Sequence, residues 1–157
     1  MLVVIIMGSP SDDPLARRIV RTLDDMGIAW DMRIASAHKT PRQLLDMLEA
    51  YEADPGAKVY ITVAGRSNAL SGMVDAQVSA PVIACPPYGE KFAGGDLLSS
   101  LRMPSGVAPA VVLEPESAAL LAGKILGLSE PDLRHRVRKA QERQRQRLLE
   151  ADAALKE

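Results

Sequence analysis

The sequence predicts an α/β fold: a three-layer, flavodoxin-like, doubly wound parallel sheet of about five strands, with a long C-terminal helix. Three observations predict it. Short β-branched apolar runs alternate with stretches of helical periodicity, as in right-handed βαβ units. The first run, Leu2–Met7, is continuously apolar, as a buried strand is. Each of the first three runs opens into a polar loop that leads toward a helical segment.

Taken in order, Leu2–Met7 is the first strand, bounded by Gly8-Ser9-Pro10. Asp12 or Asp13 then caps a helix with Pro14 at its first position. Leu15, Ile19, Leu23 and Met26 share one face of that helix, and Gly27 stops it. Ala29–Ile34 is the second strand. It alternates and carries Asp31 and Arg33, which places it toward a sheet edge. Thr40-Pro41-Arg42-Gln43 matches a capping box and starts the second helix, whose face is Leu44, Leu45, Leu48 and Tyr51. Asp54-Pro55-Gly56 turns the chain into the third strand, Lys58–Val63. A helix of about two turns starts near Leu70. Pro81–Cys85 is a short, central fourth strand, followed by the rigid loop Pro86-Pro87-Tyr88-Gly89. A helix lies around Asp96–Leu101, the fifth strand at Ala110–Leu113, and a helix at Glu116–Leu126, ended by Gly127.

After Pro131 the composition changes, so the chain divides into a domain at 1–130 and a helical tail at 131–157. Seven Lys or Arg fall between Arg134 and Arg147. Leu133, Val137, Ala140, Leu148, Ala151 and Leu155 form a sparse apolar stripe. The tail helix, about 35 Å long at 1.5 Å per residue, exceeds what is needed to cover its own domain. Three readings stand: a solvated surface helix, a helix packed on a neighbouring subunit, or a nucleic-acid binder. The last has no aromatic or motif support.

Bulk properties exclude several classes. The 157 residues suit one core, and 47% hydrophobic with 25% charged residues argues against disorder. The net charge of −1 gives no general attraction to nucleic acid or anionic membranes. A single cysteine, Cys85, excludes an internal disulfide and fits a reducing compartment. The apolar start meets Gly-Ser-Pro too soon for a signal peptide or membrane span. The expectation is a cytoplasmic protein that binds neither nucleic acid nor membrane. His38 and His135 are far apart in sequence and Cys85 has no Cys partner, so no metal site is expected.

In an open parallel sheet, loops at the carboxyl ends of neighbouring strands converge on one crevice, here between the first and third strands. Gly8, Ser9, Ser11 and Asp12 from the first loop should therefore meet Ser36, His38 and Lys39 from the second. Gly65, Arg66, Ser67, Asn68 and Leu70 come from the third. A Gly-Ser-x-Ser turn between strand and helix offers N–H groups, hydroxyls and a helix dipole to a phosphate, with Lys39 as a point charge. It is neither a Walker A nor a GxGxxG loop, so ATP and dinucleotides are not indicated. The Asp12 carboxylate suits ribose hydroxyls, and phosphate beside Asp reads as a ribonucleotide. His38 is an imidazole able to exchange protons near neutral pH. Arg66-Ser67-Asn68 offers a guanidinium, a hydroxyl and an amide to a carboxylate. No GxSxG elbow occurs, and Cys85 reads as a small buried residue. A hydrolase or phosphotransferase would need a metal or nucleophile that the sequence does not offer. A non-catalytic nucleotide-binding module would keep the phosphate loop and tolerate loss of His38.

Together, Gly8-Ser9-Pro10-Ser11-Asp12, Ser36-Ala37-His38-Lys39 and Ala64-Gly65-Arg66-Ser67-Asn68-Ala69-Leu70-Ser71-Gly72 resemble the aminoimidazole ribonucleotide (AIR) carboxylases of purine biosynthesis, the PurE family. The likeness continues through Pro81–Pro87 and Ser99–Gly106 and covers roughly residues 3–128. Class I of that family is a mutase that moves a carboxylate from the exocyclic nitrogen to carbon 4. Its third loop typically reads Ala-Gly-Gly-Ala-Ala-His-Leu-Pro-Gly. Class II uses CO2 directly. Here Ala69 stands where class I has His and Lys39 where it has Arg, so the resemblance is to class II, although Thr40-Pro41 is closer to class I. The resemblance implies a carboxy-lyase that reversibly carboxylates AIR with CO2 at imidazole carbon 4, without ATP or another cofactor. It also implies a homo-octamer with sites near subunit boundaries. In that reading His38 is catalytic, accepting the ring proton, and the other loop residues bind substrate.

Overall fold

A computed structural model describes residues 1–155, apart from the side chain of Lys91. Five parallel strands form one sheet in the order β2-β1-β3-β4-β5. They are β1 (Leu2–Met7), β2 (Trp30–Ile34), β3 (Lys58–Val63), β4 (Val82–Ala84) and β5 (Ala110–Val111). Six α-helices connect or follow them: α1 (Asp13–Asp25), α2 (Pro41–Glu52), α3 (Ala69–Asp75), α4 (Leu98–Leu101), α5 (Pro115–Leu126) and α6 (Pro131–Ala154).

The alternation of side chains along β1 divides the core in two. Val3, Ile5 and Met7 face a layer made by α1, α5 and the start of α6. Val4 and Ile6 face Leu44 and Leu48 of α2 and Leu70 and Val74 of α3. All five of these β1 residues are buried, which is why the run is continuously apolar. β2, with its alternating polar residues, is an edge strand, and short β4 lies inside the sheet.

Several boundaries differ from expectation, each for a local reason. A 3₁₀ turn at Pro10–Asp12 precedes α1, and its N-cap is Ser9, whose hydroxyl accepts from the Ser11 N–H at 3.3 Å. Asp12 stands at the α1 N-cap without a side-chain cap bond. The expected capping box at Thr40–Gln43 does not form. The Thr40 hydroxyl accepts from the Ser36 N–H at 2.9 Å, and the Gln43 amide donates to the Ile34 carbonyl at 3.5 Å. The helix expected around Asp96–Leu101 is a 3₁₀ turn, Gly95–Leu97, running into α4.

The tail stripe also splits. Leu133 and Val137 are buried in the domain's own core, and Ala140 packs against it. The Arg136 guanidinium donates to the Met26 carbonyl at 2.8 Å, tying α6 to the end of α1. Leu148 and Leu155 are 73% and 87% exposed. The first turns of α6 therefore belong to the domain, and its second half projects beyond it. Among the described residues, no helix is long and apolar enough to cross a membrane.

Candidate active site

The chain reverses direction across the sheet between β1 and β3, and a cleft of about 610 Å³ opens there at the carboxyl ends of the strands. Its walls include Gly8, Ser9, Ser11 and Asp12 after β1, and Ser36, Ala37, His38 and Lys39 after β2. Gly65, Arg66, Ser67 and Leu70 line it after β3. The three loops converge because parallel strands deliver their carboxyl ends to one side.

In the first loop, the Ser9 and Ser11 hydroxyls lie 2.9 Å apart. Gly8 passes so close to β3 that a Cβ there would sit 3.2 Å from the Ala64 methyl and 3.8 Å from the Asp12 carboxylate. Burial holds the Asp12 carboxyl above the usual carboxylate range, against the opposing pull of the Ser9 N–H and the Arg66 charge. Asp12 and Arg66, from different loops, therefore feel each other across the cleft.

The second loop is closed by its own side chains. The Ser36 hydroxyl accepts from the Lys39 N–H at 3.2 Å, and the Thr40 N–H donates to the Ser36 carbonyl at 2.9 Å. This knot presents His38 and Lys39 outward, both exposed. His38 makes no hydrogen bond among the described residues and lines the cleft.

In the third loop, one residue expected in the site does not line the cleft. Asn68 is instead buried. Its carbonyl accepts from the Ser71 N–H at 3.2 Å as the N-cap of α3. Its amide donates to the Ser71 hydroxyl at 2.7 Å and the Ser100 hydroxyl at 2.9 Å. Its amide donors and acceptor are thus engaged beneath the loop rather than at the cleft surface. Arg66 adopts a left-handed backbone, φ 57°, of order 1–3 kcal/mol less favourable for a non-glycine residue.

A fourth wall went unread in the sequence. Pro87, Tyr88, Gly89, Glu90, Phe92 and Asp96, between β4 and α4, also line the cleft. Tyr88 and Phe92 are 67% and 47% exposed, in a chain whose aromatic content is only 3%. The signal was available: this segment also follows the carboxyl end of a strand. Below this wall, Cys85 is fully buried, its thiol donates to the Leu113 carbonyl at 3.7 Å, and burial pushes it up to about 12. It offers no thiolate to chemistry at neutral pH.

Comparison with known proteins identifies the family. The family model for AIR carboxylase matches residues 2–147. The chain belongs to the AIR carboxylase family. A phosphoribosylaminoimidazole carboxylase of Archaeoglobus fulgidus is 53% identical over 99% of this chain and 86% of its own length. One of Treponema denticola is 50% identical over 99% and 98%. The crystal structure of Treponema denticola PurE superposes with a TM-score of 0.96, covering 99% of each chain. The human bifunctional phosphoribosylaminoimidazole carboxylase/phosphoribosylaminoimidazole succinocarboxamide synthetase is 41% identical over 81% of this chain, which spans 30% of that protein. The flavodoxin-like fold of this AIR carboxylase thus agrees with its solved relatives.

Proposed function

We propose that this chain is a phosphoribosylaminoimidazole carboxylase of purine biosynthesis that uses CO2 directly and is cytoplasmic. The carrying observation is the convergence of Ser9, Ser11, Asp12, His38, Lys39 and Arg66 on one cleft in a chain of this family. In this reading Ser9, Ser11 and Lys39 hold the phosphate, and Asp12 accepts from the ribose hydroxyls. Gly8, Ser36, Gly65, Ser67 and Leu70 shape the walls around the nucleotide. Arg66 neutralises the carboxylate as it forms.

The chemistry asks little beyond orientation. The enamine-like carbon 4 of the imidazole attacks the carbon of CO2, and one C–O π pair moves onto oxygen. The new C–C bond leaves a ring carbon bearing a proton, which His38 removes, restoring the aromatic ring. Decarboxylation runs the same steps in reverse, with the imidazolium returning its proton to carbon 4.

Direct use of CO2 is favoured over a mutase by the third loop, where Ala69 replaces the class I His, and by Lys39 in place of Arg. Arg66 and Ser67 carry this reading; Asn68 does not contribute to it. The deciding assay supplies AIR with bicarbonate, and separately the nitrogen-carboxylated isomer while CO2 is scavenged. Consumption of AIR alone is expected. Efficient conversion of the isomer under CO2 depletion would make the chain a mutase.

We also propose a homo-octamer in which the projecting half of α6 packs on a neighbour. Exposed Leu148, Leu149 and Leu155 support this. Deleting residues 142–157, which leaves Leu133 and Val137 in the core, is expected to lower the mass seen in sedimentation. A wild-type monomer at micromolar concentration would refute the assembly.

A further inference from the structure

We propose that Asp96 and Ser99 are positioning residues that clamp the backbone of Arg66 in its left-handed turn and so aim its guanidinium at the carboxylate that forms from CO2. Neither residue figures in the chemistry above, and the inference rests on the reading of Arg66 given there.

Both peptide groups flanking the Arg66 Cα are held from a segment some thirty residues away. The Arg66 N–H donates to Asp96 Oδ2 at 3.2 Å, and the Ser99 hydroxyl reaches the Arg66 carbonyl at 2.9 Å. The same Ser99 oxygen accepts from the Asn68 N–H at 3.0 Å. Ser99 thus spans the turn from the carbonyl of Arg66 to the N–H two residues on. Its single proton is shared between Arg66 O and Asp96 O, the latter at 2.7 Å, so the hydroxyl binds its two partners of the clamp together. With φ at 57°, the Arg66 backbone is in a region that ordinary side chains leave unless held. Released to the usual negative φ, the backbone would carry the Arg66 side chain in a different direction.

The clamp also joins two walls of the site. A Cβ on Gly89 would lie 2.8 Å from Asp96 Oδ2, so the Tyr88–Phe92 wall is in contact with the same carboxylate that holds Arg66. Beside it, a Cβ on Gly65 would lie 3.0 Å from the Pro87 ring. The other carboxylate oxygen, Asp96 Oδ1, is buried without a partner. The Asn68–Ser100 bond anchors the turn from below, and among the described residues the Arg66 peptide groups are held by Asp96 and Ser99.

The test is a double-mutant cycle on the full-length enzyme, with KM for CO2 and for AIR measured separately. Ser99→Ala is expected to raise KM for CO2 about tenfold with KM for AIR within about twofold, and Ser99→Thr to restore it. In an Arg66→Ala background, Ser99→Ala should add less than about twofold, since it acts through the group already removed. Additive losses, or a lower Tm with unchanged kinetics, would overturn the clamp while leaving Arg66 in place. Wild-type kinetics in Arg66→Ala alone would overturn the role of Arg66 and the clamp with it. If Ser99→Ala melts below assay temperature, Asp96→Ala against Asp96→Asn, which keeps an acceptor for the Arg66 N–H, makes the same comparison.

Discussion

Two clefts lie at opposite ends of the same sheet, and they treat their polar groups in opposite ways. At the amino end, a cleft of about 380 Å³ is bordered by Glu52 and Lys58. There Glu52 accepts from the buried Tyr60 hydroxyl at 2.9 Å, and from the Ser79 N–H and hydroxyl at 3.1 and 3.2 Å. The Lys58 ammonium donates to the Gly56 carbonyl at 2.8 Å. At the carboxyl end, Asp12 is half-buried, Arg66 sits in a left-handed turn, and among the described residues one Asp96 oxygen and the His38 ring have no hydrogen-bond partner. One end pairs its polar groups with one another; the other, which the proposed function assigns to the substrate, leaves several of them facing the cleft. Sites commonly give up local stability in this way while the opposite end of the fold supplies it.

The sharpest break of this contrast is His38→Asn. It should leave Tm and AIR affinity unchanged while turnover falls by about 100-fold or more. A folded variant that still decarboxylates the product at near-normal rate would remove His38 from the mechanism. Next in size is Glu52→Ala, which strands the Tyr60 hydroxyl and should lower stability by about 1–3 kcal/mol with kcat unchanged. Urea titration read beside steady-state rates checks both halves. Burial alone would raise the Glu52 carboxyl, but the bonds from Ser79 and Tyr60 and the Lys58 charge hold it below the usual range. A depressed carboxyl stabilises above its unfolded value and loses that contribution as pH falls through the folded one. The Glu52→Ala deficit should therefore shrink in acid.

Asp12→Asn gives the smallest effect on stability and the opposite sign. A raised carboxyl stabilises fully below its unfolded value and loses that contribution as pH rises through the folded one, so charged Asp12 is unfavourable at neutral pH. The variant should melt higher at pH 7, with the gain vanishing in acid, while KM for AIR rises. A lower Tm at pH 7 would contradict the burial argument.

The layers and strand order were legible because β1 and β3 are buried on both faces and β2 is not, and composition records that directly. Eleven of the twelve expected site residues line the cleft, because strand-end position is a topological property. The burial of Asn68 is not legible in the sequence for a tertiary reason: its amide partner Ser100 lies 32 residues away, where no local pattern points. Thr40 failed as a cap because Ser36, four residues back, offered its hydroxyl a competing partner. The Tyr88–Phe92 wall was open to the same strand-end argument, since it follows β4, whereas the Asp96–Ser99 clamp depends on long-range approach between loops, which spacing along the chain does not encode.

The burial of Cys85 makes the protein its own opening gauge. The thiol sits at the end of β4 directly beneath the cleft wall, fully enclosed and protonated. An alkylating reagent reaches it only when that part of the sheet comes apart. Its labelling rate in native buffer therefore reads the free energy of opening at this one place. If the substrate draws the walls together, AIR should slow alkylation at Cys85, reporting ligand binding through an atom that the ligand never touches.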